Sequence, residues 1–546
     1  MSVTTWPSSE PETPPGYWDS LGKQDEPSHT NGAAQPPPVI KVIAGHIDKT
    51  ATLGEAALIT AQFPIYQRGS TLVRPVLSEV PASKGRTTMA AGLANISPPA
   101  LIDRLCQSAE WQKYDGKRKA WTRMDPPPGI ASIILSRVGD WTFPRIAGVI
   151  TTPTIRPNGS LLTAPGYDPV TRLYHAVDAS MDVIRHIPAT LTNADALKAL
   201  GDLQHLLKNF PTVTEIDASV ALSGLITPVV RGAVQAVPMH AFRASTAGTG
   251  KTFLVDVISA ISTGRPCPVA TVAKSEEETE KRLGGLLIAA FPIVCLDNVN
   301  GELGGDLLCQ AIERPIIQIR PLGSSEIIEI ETRASIFATG NSLRVRGDMT
   351  RRCIIATLDA GVERPELRDF DFDPVEAVLA DRARYVGACL TIVLAHAKAG
   401  FPADTKPLAS FSDWSRFVRS ALIWLGCADP CASMETARED DPELSDLKEL
   451  LTAWAYEIGT TESLTGAELS ERIAERTHAE DGSQSGFVNP RMREIVLRVA
   501  AVKGVIDGRR LGNFLRNKEG RITNGQKLRK AGSAQGGSIR WQVTNV

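Results

Sequence analysis

The stretch that most constrains this chain is ASTAGTGKT, Ala244 to Thr252. It follows an apolar run, Val237 to Ala244. It precedes Phe253, Leu254, Val257, Ile258 and Ile261, which recur on one face at helical spacing. Gly264 and Pro266 punctuate the end of that helix. Strand, Gly-rich loop and helix in that order make a phosphate cradle, with backbone N–H groups curled inward and a helix N-terminus behind them. Ser245, Thr246, Ala247, Gly248, Thr249, Gly250, Lys251 and Thr252 are the candidate nucleotide-binding residues. In the pattern G-x-x-x-x-G-K-[ST] the lysine reaches the β/γ-phosphates and the hydroxyl holds Mg2+. Lys251 and Thr252 fill those two positions, while Ser245 stands where the pattern has its first glycine. That position is at the strand exit, away from phosphate, so a small serine in an allowed backbone region fits.

Two further apolar runs end in polar residues. FPIVCLDNVN, Phe291 to Asn300, reads as a buried parallel strand delivering Asp297 to the C-terminal edge of a sheet. Asp297 would hold Mg2+ through water. The next position, where a glutamate would activate water, is Asn298, an amide able to orient water but not to take its proton. Glu302 is a second candidate for the base. SIFATGNS, Ser335 to Ser342, ends in Asn341, placed to contact the γ-phosphate and the lytic water. GDMTRRCI then supplies Arg351 and Arg352, either an arginine finger for a neighbouring subunit or a solvated basic pair.

Charge is uneven along the chain. From Arg491 onward there are thirteen basic and three acidic residues, +10 in a protein of formal net charge -2. A basic tail on an acidic body suggests a polyanion partner. No apolar stretch is long enough to span a bilayer, and MSVTTWPSSEPETPP lacks the basic start and apolar core of a secretory signal, so a cytoplasmic protein is expected. The eight cysteines form no Cys-x-x-Cys pair, which leaves reduced thiols as the expectation.

STAGTGKT, IVCLDNVN, ATGNSLRVRGDMTRR and the trailing LDAGVERPELRDF together resemble the AAA+ ATPases, and within them the superfamily III helicases. The order is similar to the helicase part of phage, plasmid and prophage primase-helicase proteins. WTFPRIAGVITTPTIRPNGSLLTAPGYDPVT also looks like the segment ahead of the core in those proteins, so the resemblance covers roughly residues 130–370. It implies an α/β AAA+ P-loop core, ATP and Mg2+ as cofactors, and a homo-hexameric ring passing single-stranded DNA through its channel. It also implies a bacterial setting, in the replication of a phage or mobile element, with a separate primase or polymerase as partner. PIIQIRPLGSSEIIEIE, Pro315 to Glu331, reads as a hairpin in which Ile316, Ile317 and Ile319 face Ile327, Ile328 and Ile330. By the resemblance it grips the strand through Arg320, with Arg314 second; a packed hairpin with Arg320 solvated is the alternative. No metal-holding acid pair precedes the core on a strand-like run, so priming activity is not expected.

The expected organisation is a disordered segment (1–38), an α+β domain (39–230), the ATPase core (231–370), a helical lid (371–435) and a basic winged-helix-like domain (436–546). Ser412 is the expected N-cap of a lid helix whose stripe is Trp414, Phe417, Val418, Ala421 and Leu425. In the last domain a capping box at Thr465 and Glu468 opens one helix, and Gly508–Lys518 is the expected recognition helix. Arg509, Arg510, Arg516 and Lys518 on that helix, with Lys527, Arg529 and Lys530 on a wing, are the candidate duplex contacts. Two functions are open: an ATP-dependent DNA helicase or translocase, and a non-unwinding initiator or loader using ATP as an assembly switch.

Overall fold

Five short parallel strands carry the larger part of the molecule. The computed structural model describes residues 36–546 apart from 82–86, 179–180, 272–274, 324, 403–404, 407, 479–483 and 535. Most of the segment expected to be disordered, 1–38, lies outside the described residues. The described chain divides into two compact units, one from residues up to Phe63 and from Pro98–Ile134, the other from Pro64–Ser97 and Leu135–Val546. In the smaller unit Val39–Val42 pairs in parallel with Glu110–Asp115, which pairs antiparallel with Ala120–Arg123. Helices Ile47–Thr60 and Pro98–Ser108 belong to it, and Leu58, Leu101, Leu105 and Trp111 are buried.

The expected continuous domain 39–230 is therefore divided. Its second half belongs to the larger unit because α1 (Asn193–Leu207) and α2 (Glu215–Ile226) bury Leu200, Leu203, Leu206, Val220 and Leu225 in the same hydrophobic cluster as the five-stranded sheet. Thr192 and Thr214 open these helices with capping boxes closed by Asp195 and Asp217. Ahead of them, Asn158 and Gly159 (φ +84°) turn the chain between Thr154–Ile155 and Leu161–Leu162.

In chain order the core then runs β1 (Met239–Ala244), α3 (Lys251–Thr263), β2 (Val269–Thr271), α4 (Glu276–Ile288), β3 (Ile293–Asp297) and α5 (Asp306–Glu313). A hairpin follows, β4 (Ile316–Ile319) and β5 (Ile328–Glu331), then β6 (Ser335–Asn341) and β7 (Cys353–Leu358). The sheet order is β2-β3-β6-β1-β7, all parallel. Buried Val294, Cys295, Leu296, Ile336, Phe337 and Ala338 fill its middle strands, the continuous apolar pattern of a sheet covered on both faces. Register brings three strand ends to one edge. Ala244 pairs with Asn341, and Leu296 with Ala338, so Asp297 lies level with Thr339. Gly264 ends α3 in the left-handed region (φ +79°).

The lid residues form α6 (Pro374–Ala380) and α7 (Arg382–Lys398), separated at Asp381, and then a shorter helical run. Ser412 is the first residue of that run and not its N-cap, which is Phe411 with no side-chain cap. Ser415–Arg419 is a π-helical turn, an insertion that apolar periodicity does not signal. The stripe from Trp414 to Leu425 is buried, as core.

The C-terminal region has its own hydrophobic cluster. α8 (Pro442–Glu457), α9 (Gly466–Arg472), α10 (Pro490–Ala500) and α11 (Gly508–Lys518) meet the antiparallel ribbon β8 (Gln526–Ser533) and β9 (Ile539–Asn545). Trp454, Leu469, Val496, Leu511, Leu515, Leu528 and Trp541 make this core. Among the described residues no helix is long and apolar enough to cross a membrane.

Candidate functional site

The loop after β1 relies on glycine where its backbone turns inward: Gly248 and Gly250 have φ of +75° and +95°. Ser245 is not among the residues of positive φ, which explains why a serine fits where the sequence pattern has glycine. Lys251 Nζ is folded back into the loop, donating to the Thr246 carbonyl and to Thr249 Oγ1, both at 3.0 Å. Burial lowers its pKa, and Asp297 opposes that shift.

Thr252 Oγ1 donates to Asp297 Oδ1 at 2.8 Å, and Thr339 Oγ1 donates to the same carboxylate oxygen. Thr339 was not singled out in the sequence; its register opposite Asp297 becomes visible only once β3 and β6 are paired. Two hydroxyls and a carboxylate form the hard-oxygen set that suits Mg2+, so the residues present fit the implied ion. Asn341 Oδ1 is buried and without a hydrogen-bond partner among the described residues, an acceptor in want of a donor.

The turn after Asp297 is tightly built. Asn298 lies in the left-handed region (φ +58°) and is exposed, and Val299 N donates to the Thr339 carbonyl at 2.8 Å. The Val299 carbonyl then passes so close to Gly340 that a Cβ there would lie 2.0 Å from its oxygen. Only glycine permits that approach, and it fixes the acid-bearing turn against the amide-bearing strand. Glu302 is exposed on a two-residue strand paired in parallel with Arg344–Val345.

The two neighbouring arginines separate. Arg352 is buried, its Nε donating to Glu313 Oε2 at 2.9 Å and its Nη1 to the Asp348 carbonyl at 2.9 Å. It is committed to holding the turn before β7 against α5, so its reading as a finger is corrected to a structural one. Arg351 is half exposed, with Asp348 at 3.3 Å and Glu313 at 3.7 Å, and remains the candidate finger.

The hairpin register pairs Ile317 with Ile330 and Ile319 with Ile328, while Ile316 opposes Glu331 and is exposed. Ile327 lies outside β5, 66% exposed, so the expected facing of Ile316 and Ile327 does not hold. Arg314 and Arg320 are exposed, and Arg320 is the one basic residue of a hairpin that carries Glu326, Glu329 and Glu331. The hairpin base is clamped by a residue the sequence did not flag. Buried Arg68 donates to the carbonyls of Glu331 (2.9 Å), Ile288 (3.0 Å), Leu287 (2.6 Å) and Ala147 (3.1 Å). Burial pushes its guanidinium down to about 10, with Glu331 opposing.

On the C-terminal region Arg509, Arg510, Arg516 and Arg529 are exposed, and Lys527 is half-buried. Lys530 is exposed and paired with Glu519 at 2.8 Å. Lys518 is only 5% exposed, its ammonium 5.8 Å from the Phe514 ring centroid, and is removed from the candidate duplex contacts. It is the last residue of α11 and is buried, a placement that charge counting cannot see.

Strand, Gly-rich loop and helix, with an acid at the end of a neighbouring parallel strand, are the architecture of a P-loop core. No protein-family model and no curated protein matches the chain. Among solved structures three are distantly similar to it. The NrS-1 C-terminal region in an apo form is 11% identical, with 80% of this chain and 99% of that one covered and a TM-score of 0.34. The SCCmec type IV Cch active helicase is 10% identical, with 88% and 97% covered and a TM-score of 0.34. JCV helicase, bound to a small acetamide, is 13% identical, with 46% and 74% covered and a TM-score of 0.20. Likenesses this distant carry no functional conclusion.

Proposed function

We propose that the chain hydrolyses ATP and couples hydrolysis to movement along DNA as a helicase or translocase. The observation that carries this reading is the convergence of Lys251, Thr252, Asp297 and Asn341 on one edge of one sheet. Lys251 would exchange its two loop acceptors for phosphate oxygens. Mg2+, held by Thr252 and through water by Asp297, would supply charge neutralisation between the β- and γ-phosphates. Asn341 and Asn298 would orient water, and Arg351 would neutralise the phosphates of a neighbouring subunit's nucleotide, which calls for a ring. The basic face of α11 and the wing would hold duplex DNA, and Arg320 the single strand.

An initiator or loader that switches on nucleotide binding is the second reading, favoured by the amide at 298, which cannot accept a proton. Strand displacement on a forked substrate with ATP separates the two. The helicase reading expects displacement that disappears in Lys251→Ala. Hydrolysis without displacement would turn the conclusion to the second reading, and unchanged turnover in Lys251→Ala would remove the site itself.

A further inference from the structure

Beside the phosphate loop is a pocket of about 350 Å3 whose wall includes Asn209, Phe210, Gly248–Gly250, Phe253 and Phe370 but neither Thr252 nor Asp297. That volume is within the ~300–1,000 Å3 of small-molecule sites. Thr252 and Phe253 are adjacent on α3, so their side chains diverge by ~100° around the helix. Gly248–Gly250 belong to both the loop and the pocket, so a triphosphate held by Lys251 and Thr252 would lie beside it. The walls are flat and aromatic. Phe210 and Phe253 have ring centroids 6.2 Å apart, and the Arg368 guanidinium lies 5.2 Å from the Phe370 ring centroid. Phe253 and Phe370 are 38% and 52% exposed, large apolar surfaces that remain partly open to solvent.

One polar group in this lining is unused. Asn209 Nδ2 is buried and has no hydrogen-bond partner among the described residues, while the Asn209 carbonyl accepts from Arg368 Nη1 at 3.5 Å. A buried amide donor left without an acceptor is costly unless a ligand supplies one. The chemistry fits a heteroaromatic base. Adenine carries a ring-nitrogen acceptor beside an exocyclic amine donor, the pair that a carboxamide matches with both its atoms. Guanine presents two acceptors along its equivalent edge, so one of them would meet the amide oxygen.

We infer that this pocket holds the nucleotide base and that Asn209 is the residue selecting adenine over guanine. The inference rests on the triphosphate reading of Lys251 and Thr252 and deepens it. Its upstream residues, Asn209 and Phe210, lie between α1 and α2, and its downstream residues lie between β7 and α6. The segment after β7 also reaches the loop: a Cβ on Gly248 would lie 3.0 Å from Glu366 Oε2. The base would thus be enclosed by chain from both sides of the core.

The test is competition of ATP, GTP, CTP and UTP with Mg2+ against a ribose-labelled fluorescent ADP, on the full chain. The unsubstituted protein is expected to bind ATP about tenfold tighter than GTP. Asn209→Ala should bring ATP to the GTP value, and Asn209→Leu, which keeps the size and loses both polar atoms, should do the same if the alanine variant does not fold. Phe370→Ala should weaken ATP and GTP together by roughly tenfold. Lys251→Ala should weaken all four nucleotides by one common factor. An ATP-to-GTP ratio unchanged in the Asn209 variants, with Lys251→Ala still weakening every nucleotide, overturns the base pocket and leaves the phosphate site standing. Unweakened binding by Lys251→Ala overturns the reading beneath it.

Discussion

The edge of the five-stranded sheet and the basic face of the C-terminal region are both polar, yet they are built in opposite ways. At the sheet edge Thr252, Asp297 and Thr339 sit on three different elements and bond to one another. Their positions follow from strand register, and the glycine-only approach at Gly340 locks two of those strands together. On the C-terminal face Arg509 and Arg516 come from one helix and Arg529 from β8, each exposed, with hydrogen bonds from Arg516 to Asn513 and from Arg529 to Gln542. The first arrangement suits a reaction, where donors must be placed within a fraction of an ångström. The second suits a polyanion, where summed charge matters more than the site of any one charge.

The largest expected effect separates the two regions outright. Lys251→Ala should take ATP turnover to background while duplex affinity in a filter or anisotropy assay stays within about twofold, since the proposed duplex contacts are on the C-terminal region. Loss of duplex binding in that variant would break the comparison. Next in size, Arg351→Ala should lower kcat by about 1,000-fold with an unchanged melting temperature, the loss expected of a finger. Arg352→Ala should instead remove the main partner of Glu313 and destabilise the fold by about 3 kcal/mol in denaturant unfolding. Reversed outcomes would exchange the two roles.

A smaller effect sharpens the other side. Arg509→Ala with Arg510→Ala should flatten the salt dependence of duplex binding by about one to two units of log K per log salt. Lys518→Ala should leave that slope unchanged and lower the melting temperature, because its stem is buried.

The smallest concerns the sheet interior. His240 on β1 is buried, with Ser223 Oγ 3.0 Å from its Nε2, and burial holds its pKa down at about 3. The unfolded chain takes up this proton near the usual histidine value, so stability should fall as pH drops from about 6.5 toward 3. That slope is at most about 1.4 kcal/mol per pH unit. His240→Phe should remove its share of the slope in urea titrations across that range.

What the sequence discloses follows the same division. Strand ends, the helix behind the loop and the capping box of Thr465 with Glu468 are local signals, and the first two place Lys251, Asp297 and Asn341 without further help. Thr339 was not legible because its role exists only through pairing with the Asp297 strand. Arg352 and Arg351 are indistinguishable as letters; both reach Glu313 on α5, and only burial of Arg352 distinguishes them. Asn209 and Phe370 meet across about 160 residues, and no spacing rule connects them. Lys518 counted toward a basic surface because composition carries no record of which side of a helix faces the core.

The left-handed turn at position 298 bears on why an amide and not a second carboxylate follows Asp297. Asparagine is one of the few side chains at ease in that conformation, and a glutamate would carry a penalty of about 1–2 kcal/mol there. Val299 and Gly340 leave the turn no slack to relax. An Asn298→Glu exchange would therefore trade backbone comfort for a proton acceptor, so at this bend geometry narrows the choice of side chain before chemistry does.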